Sequence, residues 1–193
     1  MPEDLKTVLH GYLRHAREAL LWKLVGLDER ELRMPRTPTG TNLLGIVKHS
    51  LHVEAGYFGA TFARPWPSPE ELVTEEMWEV DPQADWYATE AESAAGIVDL
   101  YARVQDFADA TIAALPLDAP GRVPHWPAER ADVTLGQMLV HVIADLTRHA
   151  GHADILREQA DGAVGLRTGS SNVPDGYDWA AYVEKLTAIA RSF

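Results

Sequence analysis

Residues 134–162, TLGQMLVHVIADLTRHAGHADILREQADG, decide how the rest of the chain is read. Thr134 has the chemistry of an N-cap, and Gly162 stands where a helix needs a residue that tolerates a left-handed turn. The stretch between them predicts one long helix with polar groups set into an otherwise apolar surface. Asp145 and His149 are four residues apart, so both side chains leave the same face one turn apart. His141 lies four residues before Asp145 and His152 three after His149, which puts all four within an arc of about 80°. Such a stripe is costly inside a core unless something binds to it. A divalent metal is the candidate.

The chain of 193 residues suits one domain, 1–193, with a sizeable core. Its net charge is −12, from 17 basic and 29 acidic residues, with no basic stripe of the kind that duplex DNA requires. Nucleic-acid binding is therefore not expected. No apolar run approaches the roughly 18 residues that span a bilayer, and MPEDLKTVLH lacks the layout of a secretory signal. A soluble cytoplasmic protein with no membrane partner is expected. Cysteine is absent. That removes disulfides, thiolate metal sites and a protein thiol nucleophile together. A metal must then rely on histidine and carboxylate, and thiol chemistry must take its sulfur from a cofactor.

Helical periodicity recurs in three earlier segments. The first runs from Glu3 to Leu27. The second runs from about Asn42 to Phe62, with Leu44, Ile46, Val47, Leu51, Val53, Tyr57 and Phe58 on a broad apolar face. His49 falls at the edge of that face beside Ile46 and Val53, and His52 about 60° further toward the polar side. Of the two, His49 is the one expected to point inward. The third segment runs from Thr89 to Leu115. Between the second and third, residues 64–85 carry four prolines and cannot form one regular helix, although EELVTEEMWE suits a short helical turn. Trp66, Trp78 and Trp86 there either wall a pocket or roof the bundle. A second proline-rich loop, LDAPGRVPHWPAERADV, holds His125 and Trp126 stiffly between Pro124 and Pro127. They fit the mouth of the same site as readily as surface packing.

A last short helix begins after Asp178, with Trp179, Tyr182, Val183, Leu186 and Ile189 as its expected buried face. The fold class is all-α: a four-helix bundle with a short extra C-terminal helix. Bundles of this kind build metal sites from inward-facing side chains on neighbouring helices. Asp145 and His149 offer two ligands, and His49 is the best inward-facing third. Two imidazoles and one carboxylate form the open-sided set of catalytic zinc and non-haem iron sites. Arg148, His141 and His152 are candidates for orienting ligands or binding substrate. Asp154, Arg157 and Glu158 read as an exposed ion-pair lattice.

LLGIVKHSLHVEAGYF, and later PLDAPGRVPHWPAERADVTLGQMLVHVIADLTRHAGHADILRE, resemble the DinB-like helical-bundle superfamily. More narrowly, they resemble its branch related to mycothiol-dependent maleylpyruvate isomerase and the mycothiol and bacillithiol S-transferases. The resemblance runs from about Leu24 to Gly165. It implies a metal triad of His49, Asp145 and His149, with aspartate where the branch more often has glutamate, and with His52 as the substitute if the register of the second helix slips one turn. It implies a divalent metal, zinc first and nickel or iron next, and a transferase that activates a low-molecular-weight thiol such as mycothiol for attack on a small electrophile. Arg148 and His141 are then the expected catalytic residues, and His152, His125 and Trp126 the expected cofactor-binding ones. Two other classes stay open: a metal-dependent hydrolase, and a non-catalytic or stress-related binding protein. Homodimerisation suits such a bundle, with an exposed tryptophan surface as one place for it.

Overall fold

The computed structural model describes residues 4–167, 169–171 and 173–193. In chain order they form helices α1 (Leu5–Trp22), α2 (Glu29–Arg33), α3 (Leu43–Phe58), α4 (Glu75–Val80) and α5 (Ala94–Ala114), strand β1 (Pro120–Arg122), helix α6 (Ala128–Ala131), strand β2 (Asp132–Thr134), and helices α7 (Leu135–Asp161) and α8 (Trp179–Ala190). The four long helices α1, α3, α5 and α7 make the bundle. Helix α7 packs on α1 and α3, and α3 packs on α5.

The caps explain where these helices start and stop. At α7, the Thr134 hydroxyl accepts the Gln137 N–H at 3.3 Å, and the Gln137 side chain accepts the Thr134 N–H at 2.8 Å. This reciprocal box satisfies two otherwise orphaned donors. Gly162 closes the helix with φ of 77°. Asn42 and Ser93 cap α3 and α5. Three expected boundaries shift for local reasons. Helix α1 gives way to turns after Trp22, and the expected start at Glu3 lies outside the described residues. Helix α3 ends at Phe58 and continues as a 3-10 turn, Ala60–Phe62. Helix α5 starts at Ala94 instead of Thr89, because residues 89–92 form a turn, with the Glu92 N–H on the Thr89 carbonyl, and Arg33 holds it there by hydrogen bonds to the Ala88, Thr89 and Glu92 carbonyls. The second proline-rich loop also pairs with itself. Gly121 lies opposite Val133 in a short antiparallel ribbon that delivers the chain to Thr134.

Two apolar clusters fill the bundle. Between them runs a buried ionic network. Glu54, at 0% exposure, accepts hydrogen bonds from Arg17 Nε at 3.0 Å and from the Tyr101 hydroxyl at 2.8 Å. Arg17 Nη1 also donates to Asp109 at 2.7 Å. Burial pulls the Arg17 guanidinium down, but Glu54 and Asp109 outweigh it and hold the group firmly protonated. Burial and Glu54 together push the Tyr101 phenol well above its ordinary value. Thus α1, α3 and α5 are tied at one level of the core.

Two expectations fail. The apolar stripe of α8 is not buried: Trp179 is 45% exposed, Leu186 46% and Ile189 50%. Periodicity marks such a stripe but does not say whether a neighbour covers it. Arg157 does not belong to an exposed lattice either. It is buried, bonds Asp161 at 2.7 Å, and donates to the carbonyls of Lys23 and Val25 at 2.9 and 2.8 Å. It therefore caps the chain end of α1, where those carbonyls have no helical partner.

The central network gives a direct test. Arg17→Ala leaves Glu54 as an uncompensated buried carboxylate, and the stability measured by urea unfolding should fall by about 3–5 kcal/mol. A loss below about 1 kcal/mol, the scale of a surface ion pair, would show that the network does not hold the bundle together.

Candidate metal centre

Helices α3 and α7 run antiparallel past one another, so His49 meets His149 while Tyr57, two turns on, meets His141. The His49 and His149 ring centroids are 5.0 Å apart and those of Tyr57 and His141 are 4.8 Å apart. One ligand atom from each of His49, Asp145 and His149 lies within 4.8 Å of the others. His149 Nε2 sits 3.5 Å from Asp145 Oδ1. Two polar atoms of this group, Asp145 Oδ2 and His149 Nδ1, are buried with no hydrogen-bond partner among the described residues. Leaving such atoms unpaired costs about 1–3 kcal/mol each. Burial pushes the Asp145 carboxyl up, but His149, His49 and His141 hold it below the ordinary aspartate value, so it stays anionic at neutral pH. Two imidazoles, one carboxylate and orphaned buried atoms between them fit a divalent metal with open positions for other ligands.

His49 is itself held in place. Its Nδ1–H donates to Asp85 Oδ2 at 2.7 Å, and the Trp86 indole stacks on its ring with centroids 3.9 Å apart. His52 is not free to replace it. The His52 Nδ1–H donates to the Lys48 carbonyl at 2.7 Å and its Nε2 accepts the Val73 N–H at 2.9 Å. Both ring nitrogens are spent on the fold, and burial lowers the proton affinity of the ring.

A cavity of about 560 Å³ opens beside His49, between α3 and the two proline-rich connections. His52, Val53, Tyr57, Trp78, Asp85 and His125 line it, and Glu75 stands in its wall. No lysine or arginine is among the lining residues. Burial raises the Tyr57 phenol, helped by Asp145, so Tyr57 is a neutral donor at pH 7. Burial and neighbouring His141 lower the His125 imidazole, which leaves it neutral there. The Tyr57 hydroxyl is 3.5 Å from His125 Nε2 and accepts the Trp126 indole N–H at 3.2 Å.

The structure therefore gathers most of the expected site residues but not all in one place. His125 borders the cavity beside His49. Trp126 and His141 lie one step along, ring to ring at 5.2 Å, bordering a second cavity of about 470 Å³. His152 is exposed, with its ring 5.5 Å from that of His149. Arg148 is exposed and lines neither cavity. Three residues of this region escape a reading from spacing: Asp85, Tyr57 and Glu75. Tyr57 reads as one more apolar-face residue. Asp85 gives one faint signal, a carboxylate directly before a tryptophan in a loop too proline-rich to be idle.

A family model described as mycothiol S-transferase matches residues 8–162. The chain belongs to this family, which is DinB-like. No match was found among curated proteins.

The donor set predicts a clean division among variants. His49→Ala, Asp145→Ala and His149→Ala should each lose bound zinc in tag-free protein measured by elemental analysis, while His52→Ala keeps it at reduced stability. Full zinc content in the three ligand variants would refute the assignment.

Proposed function

We propose that the protein is a divalent-metal-dependent transferase that joins a low-molecular-weight thiol, mycothiol or one like it, to a small electrophile. The observation that carries this reading is the convergence of His49, Asp145 and His149 beside an open cavity, in a chain of the mycothiol S-transferase family. Bound there, a metal (zinc first, nickel or iron next) would supply the Lewis acidity that keeps a thiol ionised near neutral pH.

The chain's own residues would do the rest. Its lack of cysteine leaves the sulfur to the cofactor and avoids a competing nucleophile. The cavity offers aromatic and apolar walls in Trp78, Tyr57 and Val53, and no fixed cationic side chain. That lining suits an uncharged, hydroxyl-rich thiol better than the carboxylate-bearing glutathione or bacillithiol. Tyr57, a neutral phenol, can donate a hydrogen bond to the electrophile. His125, a neutral imidazole beside it, can take up the proton that the thiol gives up as it ionises. His141 packs edge-on against Tyr57 and Trp126, where it would fix the phenol's direction. His152 and Trp126 remain proposed thiol contacts at the edge of the site, and Arg148 a proposed anion contact from solvent.

No helix among the described residues is long and apolar enough to cross a membrane. A cytoplasmic location belongs to this proposal, since low-molecular-weight thiols are kept reduced there. A homodimer belongs to it as well, supported by the exposed stripe of α8.

Metal-loaded protein should conjugate mycothiol to a halogenated nitrobenzene above background, with slower turnover of glutathione and bacillithiol. Stripping the metal with a chelator, or substituting His149→Ala, should return the rate to background. Absence of conjugation with all three thiols would overturn the transferase reading, and ester hydrolysis without added thiol would replace it with a hydrolase.

A further inference from the structure

The 63–93 connection does more than roof the cavity. Asp85, 6% exposed, accepts the His49 Nδ1–H at 2.7 Å through one oxygen. Its other oxygen accepts the Trp78 indole N–H at 3.2 Å. A carboxylate can only accept, so it fixes the proton of His49 on Nδ1 and leaves Nε2 bare. The next residue, Trp86, lies on the imidazole with the two planes 16° apart, which blocks rotation of the ring.

The same connection is clipped to α3 at points that do not involve His49. Asn42 donates to the Trp86 carbonyl at 3.3 Å, and Lys48 donates to the Tyr87 carbonyl at 3.0 Å and to Glu92 at 2.9 Å. The Val73 N–H donates to His52 at 2.9 Å. A glycine makes the close approach feasible. A Cβ built on Gly45 would stand 1.8 Å from the Trp86 carbonyl oxygen, well inside any real contact. The backbone at position 86 can lie on α3 only because position 45 has no side chain.

We propose that Asp85 is the positioning residue of the metal centre, and that metal binding is thereby coupled to docking of the 63–93 connection on α3. The proposal rests on the reading of His49, Asp145 and His149 as ligands. The physical logic is that of a ligand's outer partner: a carboxylate on the far nitrogen orients the imidazole and raises its basicity. Because that carboxylate belongs to a separate segment, the coupling is reciprocal. A docked segment presents a preorganised His49, and an occupied site favours the docked segment. The wall that shapes the cavity and the group that orients the ligand are then one element.

The test uses full-length, tag-free protein and zinc alone, with affinity measured by competition against a chromophoric chelator. Asp85→Asn should weaken zinc binding about 10- to 100-fold, and Asp85→Glu should restore part of the loss. Gly45→Ala keeps all three ligands and Asp85 yet pushes Trp86 away, so it should weaken zinc binding too. Limited proteolysis supplies the second readout: zinc should slow cleavage within 63–93 in the unsubstituted protein and not in Asp85→Asn. If Gly45→Ala does not fold, Trp78→Phe takes its place, with a smaller loss expected from removing one donor to Asp85. Unsubstituted protein that binds no zinc would overturn the metal reading itself. Zinc affinity of Asp85→Asn equal to that of the unsubstituted protein would overturn only the positioning role. Equal protection of 63–93 in both proteins would overturn the coupling.

Discussion

A carboxylate with no exposed surface cannot sit in the middle of a helical bundle without a cation, and Glu54 has Arg17. That pair, with Tyr101 as a third partner, fixes the rotation of α3 about its own axis. On α3, His49 lies about 140° around the helix from Glu54. Once Glu54 is locked toward α1 and α5, His49 has no choice but to face α7 and the connection that follows α3. A buried pair of this kind adds less net stability than its short distances suggest. Its value here is orientational: it sets which face of α3 becomes the wall of a cavity.

The site then follows from two helices and one strap. Helix α7 presents Asp145 and His149 one turn apart, as its period dictates. Helix α3 crosses with His49 turned toward them. The proline-rich segment lies down along α3 and supplies what neither helix carries, an acceptor for the far side of the imidazole and an aromatic lid over its face. The chemistry of the site is therefore divided between regular structure, which sets distances, and irregular structure, which sets orientation.

The division maps onto what could be read in advance. Helix α7 was legible because its limits are written in side-chain chemistry, with Thr134 at one end and Gly162 at the other. The juxtaposition of His49 with Asp145 and His149 was legible too, since each sits at a definable angle on a strongly patterned helix. Asp85 was not, because its role depends on where a loop lies after folding, and no period describes that. His52 shows the same limit in reverse. It lies one turn from His49 on the same helix and could have stood in for it, yet a backbone N–H from Val73 takes the nitrogen that a ligand would need. The stripe on α8 was read correctly as a stripe and wrongly as a buried one. Amphipathic spacing records that a helix has an apolar side, and only the tertiary structure says what meets it.

His49 and His149 stand about a hundred residues apart in the chain, on helices that meet only when the bundle closes. An unfolded chain offers at most the local Asp145–His149 pair. A metal held by all three would thus bind the native state far better than the unfolded one, and would add to stability in proportion to the logarithm of its free concentration. Marginal differences in folding free energy change how much of a protein survives quality control. Metal supply would in that case govern the lifetime of the molecule in the cell, so that starvation for the metal depletes the protein instead of merely silencing it.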